Sequence, residues 1–505
     1  MSQRGSVLSR AASALGRRGG IIRVGENAWR SVKAERLAFL IDAARYYQVL
    51  DESLRRAERE ILIVGWDFDP DIRLRPDLPD SPTLGTILES LVDANPLLQV
   101  RILVWAMGPI YSGKSLKLFR RSGWPQHPRI ELRFDGRHPI RGSHHQKMVS
   151  IDDRIAFLGG IDLTARRWDD NRHLPDNPLR VTPKGEAYEP VHDMQAMLSG
   201  PAAIGVGDLI RLRWRGAVGP IEAPGLAAPD AMEAADIWPD SVKPDLTDCR
   251  VAIARTEPDG PDHDGHQESI SLLKDALKAA RKHVYIEAQY LASFGIADII
   301  ARHLENPEGP EILIVVSRIS HGFIEKIMMG NNRDRLIRQL KRRDPYDRFR
   351  VMYSVVPKAG GGEQEVLVHS KLVVVDDVFL RIGSSNLNNR SEGLDTEADI
   401  AVEAVSETHR QAITALRDRL LAEHLDVTPE AVSRSIAETG SLLDGVEAVN
   451  HNLRGLRHFD VDVAKGAVDP IPGTALVDPH RPFRPFKAVL TGMSQLARKL
   501  RTAVF

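Results

Sequence analysis

One cysteine, Cys249, stands in a chain of 505 residues. An intramolecular disulfide is excluded, and a reducing compartment suits the chain. Long apolar runs are missing: no stretch of eighteen residues reads as a membrane-crossing helix. Charge of one sign is missing too, since 68 Lys and Arg face 69 Asp and Glu, for a net charge of −1. A dedicated nucleic-acid binder usually carries a basic excess, so nucleic acid is not an expected partner. The start, Met1-Ser2-Gln3-Arg4 with scattered Arg and Gly after it, lacks the apolar centre of a secretory signal. Residues 1–24 are read as a flexible leader. The expected location is the cytoplasm or the inner face of a membrane, with export by a route that needs no signal peptide left open. What the chain does have is apolar mass: 42% hydrophobic residues, enough for two ordinary domain cores.

It also has one chemical phrase written twice. His145-Gln146-Lys147 is followed, after four intervening residues, by Asp152, and His369-Ser370-Lys371, after four intervening residues, by Asp376. Each phrase runs into an apolar strand and a turn, Gly159-Gly160-Ile161-Asp162 in the first copy and Gly383-Ser384-Ser385-Asn386 in the second. Two His-x-Lys units suit phosphodiester chemistry at one site. One imidazole attacks phosphorus, the other protonates the leaving oxygen, and two lysines hold the phosphate. A neutral imidazole is a good nucleophile near pH 7 and is not repelled by an anionic diester.

The repeat extends beyond the motifs. Apolar residues at helical spacing, Tyr46, Leu50, Leu54 and Ala57, precede a strand at Ile61–Trp66; Ile270, Leu273, Ala276 and Ala280 precede another at Val284–Gln289. His145 follows Ile61 by 84 residues, and His369 follows Val284 by 85. Further apolar runs, Val100–Trp105 and Ile312–Val316, stand between. Each half reads helix, strand, helix, strand, then the motif strand. Between them, Gly219 to Asp248 is rich in Pro, Ala and Asp and reads as a linker. The expected division is a first repeat over 25–215, a linker over 216–249, a second repeat over 250–426 and an extension over 427–505.

On a strand, residues i and i+2 share a face, so each His and its Lys should reach one phosphate together. Ser384 and Asn386 have the same relation and could add neutral donors. Asp152 and Asp376 lie five residues past their lysines and would face away, so they are expected to close turns and pair with nearby basic groups. His138, His144, His145 and His173 form a loose group in the sequence. No second cluster completes a tetrahedral zinc set, so no metal and no other cofactor is expected.

These residues resemble the phospholipase D superfamily. His369 to Asn386 fits that family's His, Lys, Asp, Gly-Ser-x-Asn pattern without a gap. The segments HHQKMVSIDD, AFLGGIDLTARRWDD, PVHDMQAMLSGPA, VYIEAQY and GSSNLNNRSEGLDTEADIAVE are similar to the eukaryotic-type branch and its bacterial relatives. Gly160 and Asp162 depart from the general Ser and Asn, a departure that branch shares. The resemblance covers roughly Gly25 to Asp426 and implies an α/β fold. Two α/β/α sandwich halves would face each other about a pseudo-twofold axis, as a monomer with its active site at their interface. It implies His145 as nucleophile and His369 as general acid, with the reverse assignment also reasonable. Downstream acids, Asp193 and Glu397, would bind the imidazole nitrogens opposite the reacting ones. Trp168, Asp169 and His173 would shape the head-group side. The implied activity is hydrolysis or transphosphatidylation of glycerophospholipid through a phosphohistidine, giving phosphatidic acid or a phosphatidyl alcohol. A cardiolipin synthase-type transferase is the alternative, and a superfamily nuclease a further one.

Phe486 to Phe505 carries Val489, Leu490, Met493, Leu496, Leu500 and Val504 at spacings of three and four, with Lys487, Arg498, Lys499 and Arg501 beside them. An amphipathic helix is expected there, packed on the protein or lying on a membrane surface.

Overall fold

A computed structural model describes residues 20–108, 127–139, 141–221, 236–260, 264–318, 330–474 and 478–482. The expected helix over 486–505 and the leader lie outside or almost outside these residues.

The first half opens with a long strand, β1 (Arg30–Ile41), and helix α1 (Asp42–Leu54). Then come β2 (Glu60–Gly65), α2 (Leu84–Ala94), β3 (Gln99–Trp105), β4 (Ile130–Asp135), β5 (Met148–Ile151) and β6 (Ile155–Gly159). The short β7 (Val191–His192), β8 (Met194–Ser199) and helix α3 (Pro201–Ala217) follow. The second half has β9 (Leu246–Glu257), β10 (His266–Gln267), α4 (Glu268–Ala279), β11 (His283–Ala288), α5 (Phe294–Glu305) and β12 (Glu311–Val316). It continues with α6 (Asn331–Arg342), β13 (Phe349–Pro357), β14 (Glu363–Glu365), β15 (Leu367–Val368), β16 (Leu372–Val375) and β17 (Phe379–Gly383). Helix α7 (Asn389–Gly393), β18 (Glu397–Glu403), α8 (Glu407–Leu425), α9 (Pro429–Thr439), α10 (Leu442–Val449) and β19 (Gly455–His458) complete it.

Strand pairing runs in one order, β4-β3-β2-β5-β6-β8-β1-β9-β18-β17-β16-β11-β12-β13-β19. β2, β3 and β4 are parallel, as are β11, β12 and β13, and every other pair in this order is antiparallel. Parallel neighbours need a crossover, and α2 and α5 supply it between β2 and β3 and between β11 and β12. Thr83 and Ser293 accept hydrogen bonds from Thr86 N and Ile296 N, which caps these two helices.

Alternation along the strands builds the layers. Ile61 and Ile63 of β2 join the cluster with Tyr46, Leu50 and Leu88, whereas Leu62 and Val64 face the opposite side. Val284 and Ile286 of β11 join Leu273 and Ile300, whereas Tyr285 faces the opposite side. That opposite side is one cluster for both halves, covered by Trp214 of α3 and Leu416 and Leu420 of α8. The architecture is α/β, a large mixed sheet with helices on its faces, as the sequence predicts.

Three features escaped the sequence reading. β4 and β13 each add a parallel strand ahead of the motif. The long strands β1 and β9 join the halves along seven paired residues, from Arg30 against Ile253 to Leu37 against Leu246. The expected linker also contributes to packing: Ile237, Trp238 and Val242 are buried in the first half's helical cluster, and β9 begins at Leu246, ahead of Arg250.

Candidate active site

Each motif histidine sits just before an antiparallel strand, β5 or β16, that is buried along its whole length. The segments before them cross between the halves. β15, which leads into His369, pairs in parallel with β7, Leu367 against Val191 and Val368 against His192. His369 N donates to His192 O at 2.7 Å. In the other copy His144 bridges to Thr396, and His145 N donates to Thr396 O at 3.0 Å. Each motif therefore lies beside the segment that carries the other half's acid.

The carboxylates follow that crossing. His145 Nδ1 lies 2.9 Å from Glu397 Oε2, and His369 Nδ1 lies 2.7 Å from Asp193 Oδ2. The sequence reading looked for each partner downstream in its own half. The structure corrects this: the first half's imidazole takes the second half's glutamate, and the reverse. The cause is the pair of interhalf ladders, which no local pattern reveals. With Nδ1 engaged on both rings, Nε2 is the nitrogen left for chemistry.

The lysines turn toward the same place. Lys147 Nζ donates to His145 O at 2.8 Å and lies 3.3 Å from Asp162 Oδ2. Lys371 Nζ lies 3.1 Å from His369 Nδ1, donates to His369 O, and reaches Gln289 Oε1 at 3.5 Å. Ser384 Oγ donates to Glu397 Oε2 at 2.5 Å, and Ser391 Oγ donates to Glu397 Oε1 at 2.7 Å. Asn386 is buried, and its Oδ1 has no hydrogen-bond partner among the described residues. Gly160 stands where the second copy has Ser384. A Cβ there would come within 2.1 Å of Asp193 Oδ1, so the Asp193 carboxylate occupies the space a serine would need.

Asp152 and Asp376 close turns, both in the left-handed region at φ 54° and 53°. Their partners differ from the expected basic side chains. Asp152 accepts from the backbone N–H of Glu58, Arg59 and Glu60, and Asp376 from that of Arg281, Lys282 and His283. Each thus pins the start of the strand that pairs with its motif strand. A strand start presents unpaired N–H groups, and a carboxylate satisfies several at once. The basic partners belong to the next residues instead: Asp153 meets Arg211 of α3, and Asp377 meets Arg417 of α8.

Trp168, Asp169 and His173 are all buried. Asp169 bonds His173 Nδ1 at 2.9 Å and Arg180 Nη1 at 3.0 Å, and His173 shows no exposed surface. Any effect of these residues on a bound group passes through their neighbours. The loose histidine group of the sequence is split: His138 and His144 meet at Asp135, whereas His173 joins His192.

Burial drives both members of each His–carboxylate pair toward their neutral forms. It lowers His145 well below the usual histidine range, aided by Lys147 and Lys371. It lowers His369 likewise, aided by Lys371, Arg167 and Lys147. Burial also raises Glu397 and Asp193. Burial pulls Lys371 down to about 7, with Lys147 and Arg167 pushing further against Asp193. His145, His369, Lys147, Lys371 and Arg167 lie close enough to repel one another's charge, an arrangement that an anionic ligand would relieve. Arg167, Gln289 and Ser391 are the members that sequence reasoning missed. Arg167 stands in a quoted family segment, but nothing in its spacing marks it.

Residues 273–419 match the family model described as cardiolipin synthase, PLD-like domain. The chain is 25% identical to phospholipase D A of Dictyostelium discoideum over 405 residues, which cover 70% of this chain and 31% of that protein. It is 31% identical to phospholipase D2 of Bos taurus over 160 residues, 30% of this chain and 15% of that protein. The chain spans less than a third of the length of these curated relatives. The doubled motif, the matched domain and these relatives together support the phospholipase D superfamily. The crystal structure of phosphatidylserine synthase from Haemophilus influenzae Rd KW20 shares the fold, with a TM-score of 0.51 at 15% identity. That match covers 83% of this chain and 96% of the synthase. No helix among the described residues is long and apolar enough to cross a membrane.

Proposed function

We propose that this protein is a phospholipase D-type phosphodiesterase and phosphatidyltransferase acting on glycerophospholipids at a membrane surface. The observation that carries the reading is the crossed pair, His145 on Glu397 and His369 on Asp193, with a lysine beside each. His145 Nε2 attacks phosphorus, and the bond to the head-group oxygen breaks. His369 Nε2 gives that oxygen its proton. Water or an alcohol then loses a proton to His369 and attacks the phosphohistidine, which frees His145 and releases phosphatidic acid or a phosphatidyl alcohol. Glu397 and Asp193 hold the rings and stabilise each imidazolium as it forms. Lys147 and Lys371 stabilise charge on the phosphoryl oxygens. The negative diester raises the proton affinity of rings that burial has lowered, so binding prepares His369 to act as an acid. His145 is the more accessible ring, 15% exposed against 8%, which favours it as nucleophile.

The family-model match favours a second reading, transfer of the phosphatidyl group to a lipid alcohol by the same residues. Mass spectrometry of products from mixed phospholipids, with and without ethanol, separates the two. Phosphatidylethanol appearing at the cost of phosphatidic acid supports the covalent route. Phosphatidic acid alone at high ethanol would mean direct attack by water. Products found only when a lipid alcohol is supplied would favour the transferase.

A further inference from the structure

Beside the Asp193–His369 pair lies a second group: the buried His173, Asp42 at the start of α1 and His192 of β7, with the largely covered Glu423 of α8. Their facing atoms form a compact knot. His173 Nε2 is 3.2 Å from Glu423 Oε1 and 3.7 Å from Asp42 Oδ2. His192 Nδ1 is 2.8 Å from Glu423 Oε1 and 3.2 Å from Asp42 Oδ1. Ligands held tetrahedrally at about 2.0–2.1 Å from one zinc ion stand about 3.3 Å apart. The four spacings bracket that edge. We propose that Asp42, His173, His192 and Glu423 bind one zinc-class divalent ion, which holds the Asp193–His369 pair in place.

Two independent features point inward. The outer nitrogen of each histidine is held by its own carboxylate: His173 Nδ1 by Asp169 at 2.9 Å, and His192 Nε2 by Glu287 at 3.0 Å. This outer bond is the one that metal-bound histidines make, and it turns a lone pair toward the knot. Asp42 is 1% exposed, and neither of its carboxylate oxygens makes a hydrogen bond. A buried carboxylate without a donor is costly, and an ion at the centre removes that cost. Two imidazoles with two carboxylates suit zinc, whereas calcium and magnesium favour oxygen alone. Asp42, His173 and His192 are buried, so the site is closed, as in structural zinc sites.

The position gives the ion its effect. His192 precedes Asp193 and accepts from His369 N, while Glu423 comes from the other half. The ion would tie α8 to the first half within one residue of the acid that orients His369. It touches no substrate and enters no bond-making step.

The test is the metal content of full-length protein, purified from zinc-supplemented culture and dialysed against metal-free buffer. Expected is about one zinc per chain, with a nitrogen and oxygen shell at about 2.0–2.1 Å by X-ray absorption and no sulfur. Asp42→Asn and His173→Gln should each lose the ion. Should either fail to fold, Asp169→Asn, one shell further out, should bind zinc about 10–100-fold more weakly. Two results would overturn the proposal. One is wild-type protein that carries no zinc and takes up none on titration with zinc alone, which leaves two imidazolium ions balancing the acids. The other is zinc retained undiminished in Asp42→Asn and His173→Gln.

Discussion

The first motif copy has Gly160 in its turn beside the short acid Asp193; the second has Ser384 beside the longer Glu397. The lengths compensate. Asp193 fits because Gly160 offers no Cβ, and Glu397 extends by one methylene to meet two hydroxyls, Ser384 and Ser391. Asp193 has instead one backbone donor, Met194 N at 2.7 Å. The lysines differ too. Lys147 has an acid, Asp162, in reach, whereas Lys371 has the amide of Gln289 and the ring of His369. Near-symmetric sequence has thus produced two unlike proton sites. One imidazole rests on a well-bonded carboxylate, and the other sits between a less bonded carboxylate and a lysine that burial has weakened. The proposed division into nucleophile and acid would have a physical basis in this asymmetry.

The strongest challenge to the comparison is removal of each ring. His145→Asn and His369→Asn should each lower kcat by about 10⁴–10⁶, and the double variant should lose little more, because the residues act as a unit. If either single variant keeps most of its turnover in a phosphatidylcholine assay, the two-ring mechanism fails. Next come the acids. Glu397→Gln and Asp193→Asn should cost about 10²–10⁴ in kcat with KM nearly unchanged, since each orients a ring rather than binding lipid. Crossing is sharpened by ring NMR: Glu397→Gln should move the His145 resonances and Asp193→Asn those of His369. The opposite pattern would contradict the crossed geometry.

The turn itself gives a smaller effect. Ser384→Ala removes one bond to Glu397 and should cost about tenfold in turnover, from roughly 1.5 kcal/mol. Gly160→Ser should instead show as a lower melting temperature, with about 1–3 kcal/mol lost to crowding against Asp193. Equal effects on both readouts would erase the distinction between the copies. Smallest is a shift in pH. A lysine whose folded pKa is depressed loses its charge early as pH rises. The kcat/KM profile should therefore fall above about pH 7. Lys371→Arg, which keeps its charge, should push that fall to higher pH even at reduced rate. An unmoved alkaline limb would assign it to another group.

The local chemistry was legible because it is written in short spacings. The His-x-Lys units, the apolar helices around Leu50 and Leu273, and the turn aspartates all depend on neighbours in sequence. What stayed hidden depends on partners far along the chain. The His145–Glu397 contact spans 252 residues and follows from a ladder at His144 and Thr396. β1 and β9 pair across the halves, and their mixed apolar and charged residues give no clean alternation. Trp238 sits in a stretch whose Pro and Ala mask its buried anchor. Asp42, His173, His192 and Glu423 come from four separate stretches of the chain, so no ligand spacing announces them.

The crossed acids also bear on the order of events during synthesis. Ribosomes release the first motif well before the second. A nascent chain that has finished His145 and Lys147 still lacks Glu397, and its own Asp193 serves a histidine not yet made. Each half withholds from itself the acid its imidazole needs. The proposed reaction would then begin only when both halves have folded and docked, so its onset would report that the chain has been made as far as Glu397 and assembled.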